Sequence, residues 1–217
     1  ILAENNMYHY KLMKKKSLRY SNISSLLQVI SENNQEVAEH TERIEQMCFH
    51  VGKILGLSPA KQNELELLAF MHDIGKIVLE KEIGDKPLIV EEMKVVRMHP
   101  VESYDVVKKQ GYSDFIQQSV LHHHENYDGS GYPDHLFGDD IPYGGRILRV
   151  CDVYCALTSD RPYRKAYDHE TAIKFMVEDI RNFDLKIFLA FQKIIHENNR
   201  KAIILGDLTV DERGDFV

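Results

Sequence analysis

Histidine and aspartate recur in this chain where they could converge on a metal ion. MHDIGK, residues 71 to 76, ends an apolar stretch and sets His72 beside Asp73. On a helix such neighbours lie about 100° apart, and both can reach an ion along that edge. LHHHENYDGSGYP, residues 121 to 133, runs the adjacent His123 and His124 straight into a carboxylate and a glycine-rich loop. His40 in EHTERI, His99 in MHP and Asp152 in RVCDVYCALTSDRPYR are further candidates. One such residue alone is more often partnered or exposed than a ligand; the set together outweighs that reading. Imidazole and carboxylate donors without sulfur suit iron, manganese, nickel or zinc, and the donor set does not choose among them. Cys48, Cys151 and Cys155 form no CxxC pair. That argues against a thiolate site and for a reducing compartment, the cytoplasm being the natural one.

The elements that position these residues read as helices. Apolar residues recur at helical spacing over 22 to 55, including Ile23, Leu26, Leu27 and Ile30, then Val37, Ile44, Met47 and Val51, as one kinked helix or two. The same pattern runs over 61 to 77, behind a Ser58-Pro59 start signal, and over 91 to 109, 113 to 125, 145 to 159 and 169 to 198. No period-2 strand or internal repeat stands out. NYDGSGYPDHLFGDDIPYGG, residues 126 to 145, reads as a long loop, and such loops in compact domains are usually functional or disordered.

With 217 residues, 43% of them hydrophobic, the chain can bury one sizeable core. No run approaches the roughly 18 to 20 apolar residues that span a bilayer, and no signal segment opens the sequence, so a soluble domain is expected. A net charge of −7 disfavours a broad nucleic-acid or membrane surface. A phosphate substrate must then be attracted locally, by metals or a few basic side chains.

The order H…HD…H…HH…D, with GYP after the paired histidines, resembles the HD-GYP subgroup of the HD-domain phosphohydrolases. The pieces that carry the resemblance are EHTERI, MHDIGK, the DKP loop at 85 to 87, MHP, HHENYDGSGYP, IPYGGRIL and CDVYCALTSDRPYR. They span about residues 36 to 166, with a looser likeness through NFDLKIFLAF. Three residues depart from the pattern: Ser103 replaces a usual glycine, Cys155 a usual aspartate, and Leu185 the proline of an FDP motif. The loop after Lys86-Pro87 is also shorter.

The resemblance implies an all-α domain over residues 21 to 217, a helical bundle with an ordered GYP loop. It implies that His40, His72, Asp73, His99, His123, His124 and Asp152 ligate metal, with Asp73 bridging and catalytic. Lys76, also assigned to catalysis, matches a phosphate-holding position, as do Arg161 and Arg164; Tyr132 lies in the GYP loop beside the site. The plainer reading of Lys76 is a helix-terminal lysine favoured by the dipole. Glu36 precedes His40 by four residues and, on a helix, shares its face, as in the three-metal subgroup. Its plainer reading is a surface glutamate among Glu32, Glu39 and Glu42. The expected cofactors are thus two or three divalent ions, iron or manganese by resemblance, with zinc and nickel open on donor chemistry.

The implied activity is hydrolysis of cyclic di-GMP to pGpG, with further cleavage to GMP left open. Metals about 3.5 to 4 Å apart can share a hydroxide that attacks phosphorus and can stabilise the entering and leaving oxygens. Two other readings stand beside it. A hydrolase of another nucleotide would need only His40, His72, Asp73 and Asp152, and a sensor would bind the dinucleotide without cleaving it. ILAENNMYHYKL resembles the last helix of a GGDEF domain, so residues 1 to 20 are expected to be the tail of such a domain or a linker helix. A covalently linked GGDEF-type partner follows from that, a homodimer is compatible with it, no nucleic-acid polymer is expected as a partner, and no membrane segment is expected in this chain.

Overall fold

Three helices start where capping signals place them, and α-helical geometry after Pro59 and Asp114 stops earlier than apolar periodicity alone predicts. The computed structural model describes the backbone of residues 35–76, 95–160 and 164–200, and side chains from 39 to 196 within those ranges. The expected 1 to 20 tail and the loop after Lys86-Pro87 lie outside the described residues. The chain divides into two compact units, Ile1–Glu39 and His40–Val217, and the second is the subject below.

Seven α-helices are described: α1 (Gln35–Ile54), α2 (Pro59–Met71), α3 (His99–Lys109), α4 (Asp114–Leu121), α5 (Tyr143–Leu157), α6 (His169–Glu178) and α7 (Leu185–Arg200). Single 3-10 turns lie at Gly138–Asp140 and Ile180–Asn182. Among the described residues there is no strand, as expected for an all-α domain; Asp128 and Phe137 form an isolated bridge.

Side-chain caps explain three of the starts. Ser58 accepts from the Lys61 N–H at 3.4 Å with Pro59 at the first helical position, Ser113 accepts from Ile116 at 3.4 Å, and Asp168 accepts from Thr171 at 2.8 Å. The stretch read as a helix over 61 to 77 ends at Met71. Beyond it the backbone tightens, with Ile74 N–H on Met71 O at 3.1 Å and Lys76 N–H on Asp73 O at 2.9 Å. Likewise α4 ends at Leu121, and Glu125 N–H turns back onto His122 O at 3.1 Å. The metal-ligand candidates of both segments therefore occupy tight turns at helix ends rather than helix faces. The pattern read over 169 to 198 is two helices, broken where Phe183 is extended.

α5 is the central helix, packed against α2, α4, α6 and α7. Ile147, Leu148, Val150, Cys151, Tyr154 and Cys155 on it are fully buried; each large aliphatic side chain so placed contributes about 1.5–3 kcal/mol. Gly144 lets α5 seat closely, since a Cβ there would lie 2.5 Å from Ser119 Oγ and 2.9 Å from Leu68 Cδ2. On the α1 side, Cys155 Sγ meets Met47 Sδ at 3.3 Å, and Arg43 donates to Thr158 Oγ1 at 2.6 Å and Ser159 Oγ at 2.8 Å. The sulfur at 155 is thus a core contact.

The 126 to 145 loop is ordered. Tyr127 N–H donates to Asn182 O at 2.9 Å and Gly138 N–H to Tyr127 O at 2.9 Å. Arg146 is ion-paired with both Asp139 in the loop and Asp184 before α7, the latter at 2.8 Å.

Candidate metal centre

The chain's folding carries seven ligand candidates to one place from five elements. α1 supplies His40, the turn after α2 supplies His72 and Asp73, the start of α3 supplies His99, the turn after α4 supplies His123 and His124, and α5 supplies Asp152. They form three overlapping groups with the donor atoms of each within 4.8 Å of one another: the triads His40–His72–Asp152 and His99–His123–His124, and His72–Asp73–His123, which links them. Asp73 joins the triads. Its Oδ2 is 3.3 Å from His72 Nε2 and its Oδ1 is 3.1 Å from His99 Nε2.

Backbone carbonyls set the tautomers. The Nδ1 atoms of His72, His99 and His123 lie 2.6, 2.7 and 2.6 Å from the carbonyl oxygens of Ala69, Val96 and Val120, each three residues earlier. A carbonyl only accepts, so Nδ1 carries the hydrogen and Nε2 turns a lone pair inward. His99 Nε2 then faces His123 Nε2 at 3.3 Å and His124 Nε2 at 3.1 Å. The lone pairs of His99 and His123, facing each other at 3.3 Å, repel unless a cation lies among them. His72 Nε2 and Asp73 Oδ1 are also buried without a properly angled hydrogen bond, which is costly for polar atoms with no other partner. These residues fit divalent cations.

The electrostatics agree. Burial, followed by the charges of neighbouring histidines, holds His123 well below the usual imidazole range; burial pushes His124 down to about 3. Both are neutral donors at ordinary pH. Burial would raise the carboxyl of Asp152, but its hydrogen bond with His40 and the charge of His72 hold it low. Asp73 is likewise kept ionised against burial by His72 and Lys76. His72 moves the other way: burial opposes its charge, yet Asp73 raises it.

Around the ligands, Lys76 Nζ donates to Asp73 Oδ2 at 2.6 Å. Tyr132 stacks on His124 with ring centroids 4.9 Å apart, and Arg97 lies 5.3 Å from the Tyr132 ring centroid. Tyr132 N–H donates to His124 O at 3.2 Å. The first histidine of the triple points elsewhere, with His122 Nδ1 on Gln118 O and Nε2 on Asp134 Oδ2, both at 2.9 Å.

Three sequence candidates are not brought to the cluster by described contacts. Arg164, read as a phosphate ligand, instead donates to Ala156 O at 2.7 Å and Leu157 O at 3.1 Å, closing the carbonyl end of α5, and lies over Tyr167 at 4.7 Å. Arg161 lies outside the described residues. Glu36 falls in the first turn of α1, and its side chain lies outside the description. Conversely, two residues that sequence reading did not assign to the site belong to its surroundings. Arg149 donates from Nε and Nη2 to Asn126 Oδ1 at 3.0 and 2.9 Å; its position three residues before Asp152 on a helix was the available signal. Ser103 bridges the turn after α2.

Histidine and aspartate donors gathered from helices and the turns at their ends, in an all-α bundle, are what an HD domain provides. A profile of the HD domain matches residues 24–187, and the chain belongs to the HD-domain family. Over 159 residues it is 36% identical to the cyclic di-GMP phosphodiesterase response regulator RpfG of Xanthomonas campestris pv. campestris, covering 71% of this chain and 42% of that protein. Over 181 residues it is 33% identical to the cyclic di-GMP phosphodiesterase PA4108 of Pseudomonas aeruginosa, covering 82% and 44%. The chain thus spans less than half the length of these curated relatives. Among solved structures, Bd1817, an HDGYP protein from Bdellovibrio bacteriovorus, shares the fold with a TM-score of 0.62 at 18% identity, covering 89% of this chain and 64% of that one.

Proposed function

We propose that this chain is a metal-dependent phosphodiesterase of the HD-GYP type that opens cyclic di-GMP to pGpG, with GMP the further product to be looked for. The observation that carries the reading is Asp73, whose two oxygens face different triads and so suit a carboxylate shared by two ions. The relatives named as cyclic di-GMP phosphodiesterases support the substrate. Bound ions supply Lewis acidity toward the phosphate and activate water.

The protein's own part is positioning. His40, His72, His99, His123, His124 and Asp152 hold the ions; the carbonyl partners of His72, His99 and His123 fix their rings. Lys76, beside Asp73, offers a cation to a phosphate oxygen, and Arg161 is the second such cation from the sequence. Two or three ions of iron or manganese are the proposed cofactors, the cytoplasm the proposed location, and a linked GGDEF-type domain and a homodimer the proposed assembly. No helix among the described residues is long and apolar enough to cross a membrane.

The test is metal analysis combined with product analysis of reduced, anaerobically prepared protein given cyclic di-GMP. Linear pGpG or GMP is expected in step with metal content. Loaded protein that binds the dinucleotide and returns it intact would identify a sensor instead.

A further inference from the structure

Arg149 is half-buried on α5, and the one hydrogen-bond acceptor it reaches among the described residues is the neutral Asn126 Oδ1. No carboxylate there forms an ion pair with it. Burial works against the guanidinium charge, and the carboxylate that favours it is Asp152, one turn along the same helix face and itself a candidate metal ligand. Asn126 stands two residues beyond His124, and Tyr132 is stacked on that histidine. Arg149 is therefore bracketed by residues adjoining both triads, and its two bonds to Asn126 leave three N–H donors of the five.

Resting on the phosphodiesterase reading, we propose that Arg149 is a substrate-binding residue that donates to a non-bridging oxygen of the phosphodiester, with Asn126 presenting its guanidinium. A cation fixed by a neutral partner beside a metal centre keeps its charge for an incoming anion. A guanidinium also matches phosphate geometry better than an ammonium does. Lys76, tied to Asp73, would neutralise a different part of the same group.

The experiment compares metal-loaded wild-type protein, Arg149→Gln and Arg149→Lys. It measures metal per chain, calorimetric binding of bis(4-nitrophenyl) phosphate, and KM and kcat for cyclic di-GMP. Metal content is expected to stay at the wild-type value in both variants. Phosphodiester affinity should fall about 10- to 100-fold in Arg149→Gln, the loss of a charge-assisted hydrogen bond, and less in Arg149→Lys. Should Arg149→Gln fail to fold, the lysine variant carries the test, with weakened binding at full metal content still required. Unchanged affinity overturns the assignment, as does loss of metal, which would mean that Arg149 acts by positioning Asp152. Wild-type protein that binds no phosphodiester overturns it too. If wild-type protein binds bis(4-nitrophenyl) phosphate but leaves cyclic di-GMP intact, the catalytic reading fails while Arg149 is judged on the binding data alone.

Discussion

Ser103 Oγ donates to the carbonyl oxygen of His72 across 2.8 Å and accepts from Gly75 N–H at the same distance. A side chain of α3 thereby closes the turn that presents His72 and Asp73. Because α3 begins at His99, one ligand of each triad is held in register by this hydroxyl. The fit is close: a Cβ on Gly75 would lie 2.4 Å from His99 O.

Ser103→Ala leaves two buried backbone groups without partners. Urea unfolding should show a loss of about 1–3 kcal/mol, with metal content reduced in proportion to the disturbed turn. Gly75→Ala, which drives a methyl into backbone, should be the more damaging change by both measures. Equal stability of Ser103→Ala and wild type would show that water replaces the hydroxyl.

Asp73→Ala should differ from any single-histidine variant. Removing a carboxylate that faces both triads is expected to lower occupancy at two positions and abolish turnover. His40→Ala and His123→Ala should each chiefly empty one. Metal per chain by elemental analysis separates these outcomes, with circular dichroism confirming that the helices persist. Some loss of thermal stability is expected wherever bound metal is lost.

Arg146 ties the loop to the start of α7 through Asp139 and Asp184. Arg146→Met should destabilise the fold by about 3 kcal/mol, the lower end for a buried pair broken on one side. Amide exchange should rise in residues 126 to 141, where Tyr132 resides. An increase spread evenly over α2 and α5 would count against a local clamp.

His50 provides a pH-dependence separate from the proposed ligands. Burial, aided by Lys53, lowers it to about 4 from an ordinary 6.5. The unfolded chain takes up that proton first as pH falls, so the stabilising neutral form is complete above 6.5 and lost progressively between 6.5 and 4. His50→Gln should flatten the fall in stability over that window by up to one proton's slope. Parallel denaturation curves for the two proteins would refute this.

Glu36 is judged by its spacing to His40 in the sequence. Protein loaded without oxygen should hold about three ions per chain, and Glu36→Ala about two. Occupancy near two in both proteins would make Glu36 part of a solvated face and leave the two-ion reading intact.

What the sequence made legible was mostly local. Ser58-Pro59 and the apolar spacing of α2 and α5 identified those helices because their caps and buried faces lie within a few residues. The HD and HH pairs stood out for the same reason. Helix ends at Met71 and Leu121 were not legible, since the tight turns beyond them depend on partners far along the chain, as Gly75 depends on Ser103. Arg164 shows a tie the sequence did not reveal: carbonyls of α5 hold its guanidinium. Arg149 went unnoticed because its partner Asn126 lies 23 residues away.

The carbonyl bonds of His72, His99 and His123 separate two free-energy changes that many metal sites combine. Each ring is immobilised by its own helix turn, so its rotamer entropy is lost when the chain folds and not when an ion arrives. Loading then resembles insertion into a rigid mould, with little heat-capacity change and little refolding. A mould already shaped discriminates weakly between ions of similar radius. Which metal occupies it is then governed by metal supply and by exchange rate.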